Sequence, residues 1–496
     1  MKVIASIDQS TTATKGLIWS LDGRLLGRAD VPHRQIVNSQ GWVGHDPMEI
    51  LENTYRALAA ALTEAQTAPG AVAAIGISNQ RETALCWDKS TGKPLDNAIV
   101  WQCSRAEQIS GELAEAGHGP EIRKRTGLTL SPYFSAAKYA WLIRNVAEAA
   151  TVMERGNLCC GTMDSWLVYK LCGTFLTDYS NAGRTQLLNL QSLAWDGEVA
   201  AMFGIPLSCL PKIVMSDALF GLTDLDGLLP APVPLHTVLG DSHAALYANQ
   251  CHDSLSAKAT YGTGSSLMMN VGTAVPEADE GVSACPAWGM NEKITYALEG
   301  NVHYAGAVIR WLAEDVGLLS EAGQAGEIAR SVPDSGGVYL VPAFSGLGAP
   351  YYDEQARAAF LGMNRSTTKV HLIRAAEECI AYQLRDVLEA IKLSSGHTPT
   401  SLKIDGGPSR DPFLMQFTAD ILNMPLGINH REEMSGMGAA FCAAIAAGLA
   451  DHETIFSQQD YHKVEPNMDT STRIALYDGW KSAVRTIKSP TAKSED

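Results

Sequence analysis

The chain has 496 residues, 46% of them hydrophobic, and its 38 Lys and Arg against 54 Asp and Glu leave a net charge of −16. That length exceeds one average domain and supplies ample apolar surface for large cores. The acidic balance, with no Lys/Arg run, excludes a nucleic-acid face or an anionic-membrane face, so a phosphorylated ligand would need a locally built positive pocket. The ten cysteines show neither CxxC spacing nor a framework with His partners, the N-terminus lacks a signal-peptide layout, and no apolar run reaches the length of a membrane span. The expectation is a cytoplasmic protein with reduced thiols.

In chain order, the apolar run Val3 to Ile7 breaks at Asp8 into small and hydroxyl-bearing residues and resumes at Leu17 and Ile18. This reads as strand, tight polar turn, strand. Ser10, Thr11, Thr12 and Thr14 offer hydroxyls, Lys15 a positive charge and Asp8 a carboxylate, the parts needed to hold polyphosphate and a hard divalent cation. The plainer alternative is a surface hairpin stabilised by its own Ser and Thr residues. Asp46, Pro47 and Glu49 predict a helix start with a D-x-x-E box, followed by Leu51, Tyr55, Leu58 and Leu62 at helical spacing. Ala71 to Ser78 reads as a strand covered on both faces, and the polar residues Asn79 to Glu82 at its carboxyl end fall where open α/β sheets bind ligands. Arg81 beside Glu82 is either a solvated ion pair or a grip for vicinal hydroxyls of a polyol.

Tyr133 to Asn145 has helical spacing, opened by the loop Ser131-Pro132-Tyr133-Phe134. Thr237 to Gly240 ends as a strand in Asp241, which is either a helix cap or a base for a hydroxyl nucleophile. Tyr261-Gly262-Thr263-Gly264-Ser265-Ser266 repeats the logic of the first turn, and two such hairpins about 250 residues apart suggest two similar α/β halves facing a cleft. A third glycine turn, Asp405-Gly406-Gly407-Pro408, precedes a helix started by Asp411 and Pro412 and could let a nucleotide lie against the backbone. Lys369 to Lys392 and Met437 to Ala447 complete the predicted helices, the second rich in Ala and Gly for close packing on a sheet.

Gly41-Trp42-Val43, ISNQRET from Ile77, NAIVWQC from Asn97, YGTG from Tyr261, YALEG from Tyr296, VPAFSGLGAPYYD from Val341 and FLMQFTADIL from Phe413 resemble segments of the FGGY carbohydrate kinases. The resemblance runs from about residue 3 to about 450, and it is strongest to the glycerol-phosphorylating members. Tyr133, Ser135, Lys138, Tyr139 and Trp141 match the first family signature. Ala358, Phe360, Gly362, His371, Leu372 and Ala375 match the second, with Glu377 where an apolar residue is expected.

The resemblance implies two duplicated actin-like (ribonuclease H-like) α/β domains, 1–249 and 250–496, closing on a central cleft and transferring phosphate from ATP to a polyol or sugar hydroxyl. It implies Asp8 and Asp241 at Mg²⁺, and Thr11, Thr12, Lys15, Thr263 and Gly264 at the phosphates. It places Gly306, Gly407 and Asp411 at the nucleotide, the last where these relatives usually have Asn. Asp241 becomes the general base, and Arg81, Glu82, Trp101 and Tyr133 the polyol pocket. Ser242 and Ser266 stand where glycerol-phosphorylating members carry an amide and a Phe, which suggests a wider, wetter pocket. Glycerol is the leading acceptor, erythritol, a pentitol or xylulose the alternatives, and an actin-like ATPase without a metabolite acceptor the rival of another class. Homodimer and homotetramer both stay open. Members controlled by fructose-1,6-bisphosphate carry a glycine-rich, Arg-containing loop before the base; here Leu222 to His236 is acidic and proline-rich, so no such control is expected.

Overall fold

A computed structural model describes residues 2–277 and 281–489. The first sheet contains β1 (Val3–Gln9), β2 (Ala13–Ser20), β3 (Leu25–Pro32), β4 (Val72–Asn79), β5 (Gly221–Thr223) and β6 (Val233–Gly240), in the spatial order β5-β6-β4-β1-β2-β3. Within it β1, β4 and β6 are parallel, while the β1/β2, β2/β3 and β5/β6 pairs are antiparallel. Every residue of β1 is buried, as a near-continuous apolar strand between two covered faces requires.

The second sheet repeats the plan. Its strands are β7 (Ala257–Tyr261), β8 (Ser265–Gly272), β9 (Ser283–Met290), β10 (Lys293–Val302), β11 (Leu402–Asp405), β12 (Leu426–Ile428) and β13 (His462–Val464), in the order β9-β10-β8-β7-β11-β12-β13. Here β7, β11 and β12 are parallel and the β7/β8 and β8/β10 pairs antiparallel. Five strands, β3-β2-β1-β4-β6 and β10-β8-β7-β11-β12, therefore share one order and one sense. The duplication inferred from two similar turns is a duplication of whole sheets.

The helices place these sheets against a common cleft. α1 (Pro47–Glu64) covers β2 and β3. Asp46 caps it by accepting from Met48 N (2.8 Å) and Glu49 N, but Glu49 does not close the expected box: its carboxylate instead accepts from Arg34 Nε at 3.0 Å. α2 (Ser135–Asn145) packs on a smaller sheet through its strand Ala84–Asp88. α3 (Asp241–Ala248) leaves β6 directly, and α4 (Gly306–Glu314) follows β10. α5 (Lys369–Ser395) and α6 (Pro412–Leu422) pack together in the second half. α7 (Met434–Ala446), although late in the chain, lies on β1, β4 and β6 of the first sheet and across α3.

Glycines allow that crossing. A Cβ on Gly438 would sit 2.0 Å from the Ala244 carbonyl oxygen, and one on Gly76 2.3 Å from that of Ala439. A single apolar core there draws on Ile4, Trp19 and Leu239, on Met268 and Trp288, and on Met437 and Phe441. Among the described residues no helix is long and apolar enough to cross a membrane, and all ten cysteines are free thiols, every one buried except Cys172, which is partly so.

Candidate active site

Three strand ends deliver the expected residues to the cleft between the sheets. β1 presents Asp8, β6 runs into Asp241 at the first turn of α3, and β11 ends in the turn Asp405-Gly406-Gly407. Gly406 has φ +95° and a Cβ there would lie 1.9 Å from the Tyr261 carbonyl oxygen, so only glycine lets the second and third turns touch. Asp8, Lys15, Asp241, Ser242, Lys258 and Gly407 all line one cavity of about 470 Å³.

Asp8 is 5% exposed. Burial, reinforced by Glu433 and Asp241 against the opposing pull of Lys15, pushes its carboxyl up to about 6, and its Oδ1 is buried without a hydrogen-bond partner. Lys15 lies 3.9 Å from Asp8 Oδ2 and 2.7 Å from Glu433 Oε2. Burial would lower its pKa, but the two carboxylates outweigh that and keep it charged. An orphaned carboxylate oxygen among other carboxylates is the environment a cation relieves. Among the described residues no three His, Cys, Asp or Glu side chains form a metal cage. Mg²⁺ ordinarily takes only one or two protein carboxylates and fills its remaining positions with phosphate and water, so the donor set fits.

Asp241 Oδ1 accepts from Ser242 N at 2.6 Å and lies 3.3 Å from Arg81 Nε; its side chain is 38% exposed and so reaches the cleft. Neighbouring His243 is fully buried, and burial, with Arg81 close by, holds it well below its usual range and therefore neutral. Arg81 and Glu82 do not form the solvated pair that adjacency suggests. Both are buried, and each takes a different principal partner: Arg81 forks onto Glu299 (Nη1 to Oε2 3.0 Å, Nη2 to Oε1 2.8 Å), while Glu82 Oε1 accepts from Arg184 Nε at 2.6 Å.

Arg184 Nη1 returns to Glu299 Oε2 at 3.0 Å, and Ser266 Oγ donates to Glu299 Oε1 at 3.2 Å. The result is a continuous ionic chain, Glu82-Arg184-Glu299-Arg81-Asp241, joining residues of both halves. Burial alone would raise the Glu299 pKa; the two guanidiniums reverse this and hold it far below the carboxylate range. Glu82 is in the left-handed region at φ +60°, a conformation that costs energy outside glycine and is maintained here by Arg184 and by Ser135 Oγ, which donates to the Glu82 carbonyl at 3.1 Å.

Aromatic walls close this end. Trp101 and Tyr133 meet edge to face at 5.7 Å, and the Arg184 guanidinium lies 5.1 Å from the Phe134 ring. Lys138 on α2 donates to the carbonyls of Tyr133 and Phe134, fixing that loop; burial pushes its ammonium down to about 7. The hydroxyl of Thr11 accepts from Trp101 Nε1 at 2.9 Å, so Thr11 belongs as much to the aromatic wall as to the first turn, and Thr12 is exposed at the tip.

A second cavity, about 800 Å³, adjoins the first through Gly407 and Arg410. Thr263, Gly306, Gly407 and Asp411 line it. Asp411 also caps α6, accepting from Phe413 N at 2.8 Å, and Thr263 Oγ1 accepts from Arg310 Nη2 at 2.9 Å. Gly264 does not line either cavity; it packs on the Val302 carbonyl, where a Cβ would approach to 2.3 Å.

Sequence reasoning missed Arg184, Glu299, Lys258 and Glu433. Lys258 and Glu299 carried a usable signal, since a charge inside an otherwise apolar strand must be paired on folding. Arg184 and Glu433 carried none that is local.

The FGGY family of carbohydrate kinases, N-terminal domain, matches residues 3–248, and the C-terminal domain of the same family matches residues 257–447. Glycerol kinase 1 of Thermotoga maritima is 44% identical over 488 residues, covering 98% of this chain and 99% of its own. Glycerol kinase of Carboxydothermus hydrogenoformans is 44% identical over 487 residues, with 97% of each chain covered. The crystal structure of Plasmodium falciparum glycerol kinase with ADP superposes with a TM-score of 0.92 at 33% identity, covering 98% of both chains. A xylulose kinase from Lactobacillus acidophilus, at 23% identity and a TM-score of 0.87, has the same fold. With both domain matches, full-length relatives and the doubled sheet in agreement, the chain belongs to the FGGY family of carbohydrate kinases and is an ATP-dependent kinase.

Proposed function

We propose that the protein phosphorylates glycerol, with Asp241 as general base and Arg81, Glu82, Trp101 and Tyr133 as the acceptor pocket. The observation that carries this reading is the meeting of three functions at one point: a partly exposed carboxylate on the first turn of α3, a guanidinium 3.3 Å from it, and the buried carboxylate of Asp8 lining the same cavity. Near-full-length relatives named glycerol kinase support the choice of acceptor.

In this reading Arg81 and Glu82 hold the hydroxyls that do not react, one donating and the other accepting, while the aromatic walls cover the carbon skeleton. The reacting hydroxyl faces Asp241 Oδ2, which has no hydrogen-bond partner among the described residues, and gives up its proton there as its oxygen bonds to phosphorus. The N-terminus of α3, through Ser242 N, and Arg81 orient Asp241. Lys15 balances charge on the phosphates, and Lys258, fully buried and donating to Thr260 Oγ1 at 2.8 Å, adds a fixed donor at the same cavity, its ammonium pushed down by burial. Mg²⁺, when bound through Asp8, would neutralise charge developing on the transferred phosphate and the leaving diphosphate. Closing the halves over the cavity excludes water as a competing acceptor.

The test is ADP release measured over glycerol, erythritol, pentitols and ketopentoses. Glycerol is expected to give the highest kcat/KM, with a KM in the ordinary range of about 1 μM to 1 mM. A larger polyol turning over faster would overturn glycerol as the acceptor, and a rate indifferent to every polyol would overturn the acceptor pocket itself.

A further inference from the structure

Glu377 lies on α5 and lines the 800 Å³ cavity, yet it is only 2% exposed. Its Oε2 is buried with no hydrogen-bond partner, and among the described residues no hydrogen bond reaches its other oxygen. A carboxyl group buried without a partner is costly and rare in a folded protein, and it asks for a ligand that supplies the missing bonds. The surroundings describe that ligand. Ile309, Ile380 and Leu414 give apolar walls, and Gly323 leaves open space where a side chain would stand. The phosphate turns, through Thr263 and Gly407, lie in the same cavity. A nucleotide with its phosphates at those turns extends its base between the apolar walls, against Glu377.

We propose that Glu377 reads the nucleobase, its carboxyl O–H donating to a purine ring nitrogen while its carbonyl oxygen accepts from the neighbouring exocyclic 6-amino group. This inference rests on the ATP-dependent kinase reading and adds a specificity-determining residue to it. Adenine presents this adjacent acceptor and donor. Burial, with repulsion from Asp411, pushes the Glu377 carboxyl well above the usual carboxylate range, so at neutral pH it keeps the proton that the donating bond requires. An ionised carboxylate could only accept and would face the ring nitrogen lone pair.

Calorimetric binding of ADP and of purine riboside 5′-diphosphate, which lacks only the 6-amino group, tests the proposal in the intact protein without any acceptor. The wild type should prefer ADP about tenfold, the size of one buried hydrogen bond whose loss leaves a carbonyl unpaired. Glu377→Gln keeps a neutral donor and acceptor of the same shape and should retain that preference. Glu377→Leu should bring the two diphosphates to within about threefold, and as an apolar replacement for a buried acid it should melt at or above the wild-type temperature. A Glu377→Leu variant that keeps the wild-type ratio, a Glu377→Gln variant that behaves like Glu377→Leu, or a wild type without the preference would each overturn the proposal while leaving the kinase reading intact. A wild type that binds neither diphosphate would overturn both.

Discussion

Glu299→Gln removes one charge from the middle of the ionic chain without changing side-chain volume, which separates electrostatics from packing. Glu299 is 1% exposed, takes both arms of Arg81 at 2.8 and 3.0 Å, meets Arg184 at 3.0 Å and accepts from Ser266 at 3.2 Å. Neutralising Glu299 strips each guanidinium of its shared buried partner, leaving Arg184 to Glu82 and Arg81 to Asp241, and costs about 3 kcal/mol, the low end for a buried pair broken from one side. At about 2–4 °C per kcal/mol for a unit the size of one half, the melting temperature should fall by about 10 °C.

Arg81, freed from its fork, turns further toward Asp241, so kcat should fall and the KM for the polyol rise together. The sign with pH is fixed by the depressed pKa of Glu299. Its stabilisation is fully present above the unfolded value of about 4.3 and is lost only as pH falls below that. The gap between wild type and variant should therefore be flat from pH 5 upward and shrink only under more acid conditions. Ser266→Ala, which removes one neutral donor, should cost only about 1 kcal/mol. Calorimetric melting with ADP-release kinetics decides the matter: a Glu299→Gln variant melting within 2 °C of wild type at unchanged kcat/KM would refute the idea that this chain orders the site.

Asp241→Asn should lower kcat by about 10²–10⁴-fold while ADP binding measured by calorimetry stays at the wild-type level; near-normal turnover would remove Asp241 as base. Because the Asp8 carboxyl titrates at about 6 rather than 3.8, proton and cation compete there, and the Mg²⁺ concentration for half-maximal turnover should rise about tenfold per pH unit below 6. The same raised pKa means that Asp8 favours the folded state below about 3.8 and that this contribution disappears as pH rises through about 6, so Asp8→Asn should melt above wild type at pH 7.5 in metal-free buffer. Fructose-1,6-bisphosphate should leave the rate unchanged at fixed substrate, since the segment between β5 and β6 offers Asp224 and Asp226 and no Arg or Lys; dose-dependent inhibition would contradict this.

What could be read in the sequence was what depends on neighbours along the chain. The strand-turn-strand units around Asp8 and Tyr261, the Asp46 and Asp411 caps and the strand leading into Asp241 are each set by a few consecutive residues, and each stands in the structure at the stretch that suggested it. The second capping-box bond failed because Arg34, distant in sequence, competes for Glu49. Periodicity ends α5 at Lys392, whereas the helix continues to Ser395 and stops at Gly396, whose φ of +71° makes the left-handed cap that glycine favours. The true partners of Arg81 and Glu82 lie 218 and 102 residues away, and no local pattern encodes such a pairing.

The crossing of α7 over the first sheet has a consequence for how the protein is made. A ribosome that has finished α3 has already translated all six strands of that sheet, but the helix that covers β1, β4 and β6 is encoded roughly 200 residues later, which at about 5–20 residues per second is about 10–40 s of further synthesis. Throughout that interval Ile4, Leu17, Ala74 and Leu239, fully buried in the finished protein, lack the helix that completes their cover. The nascent first half thus presents an apolar sheet face to chaperones or to other chains until α7 arrives. An expression strategy that separates the halves would make that transient exposure permanent.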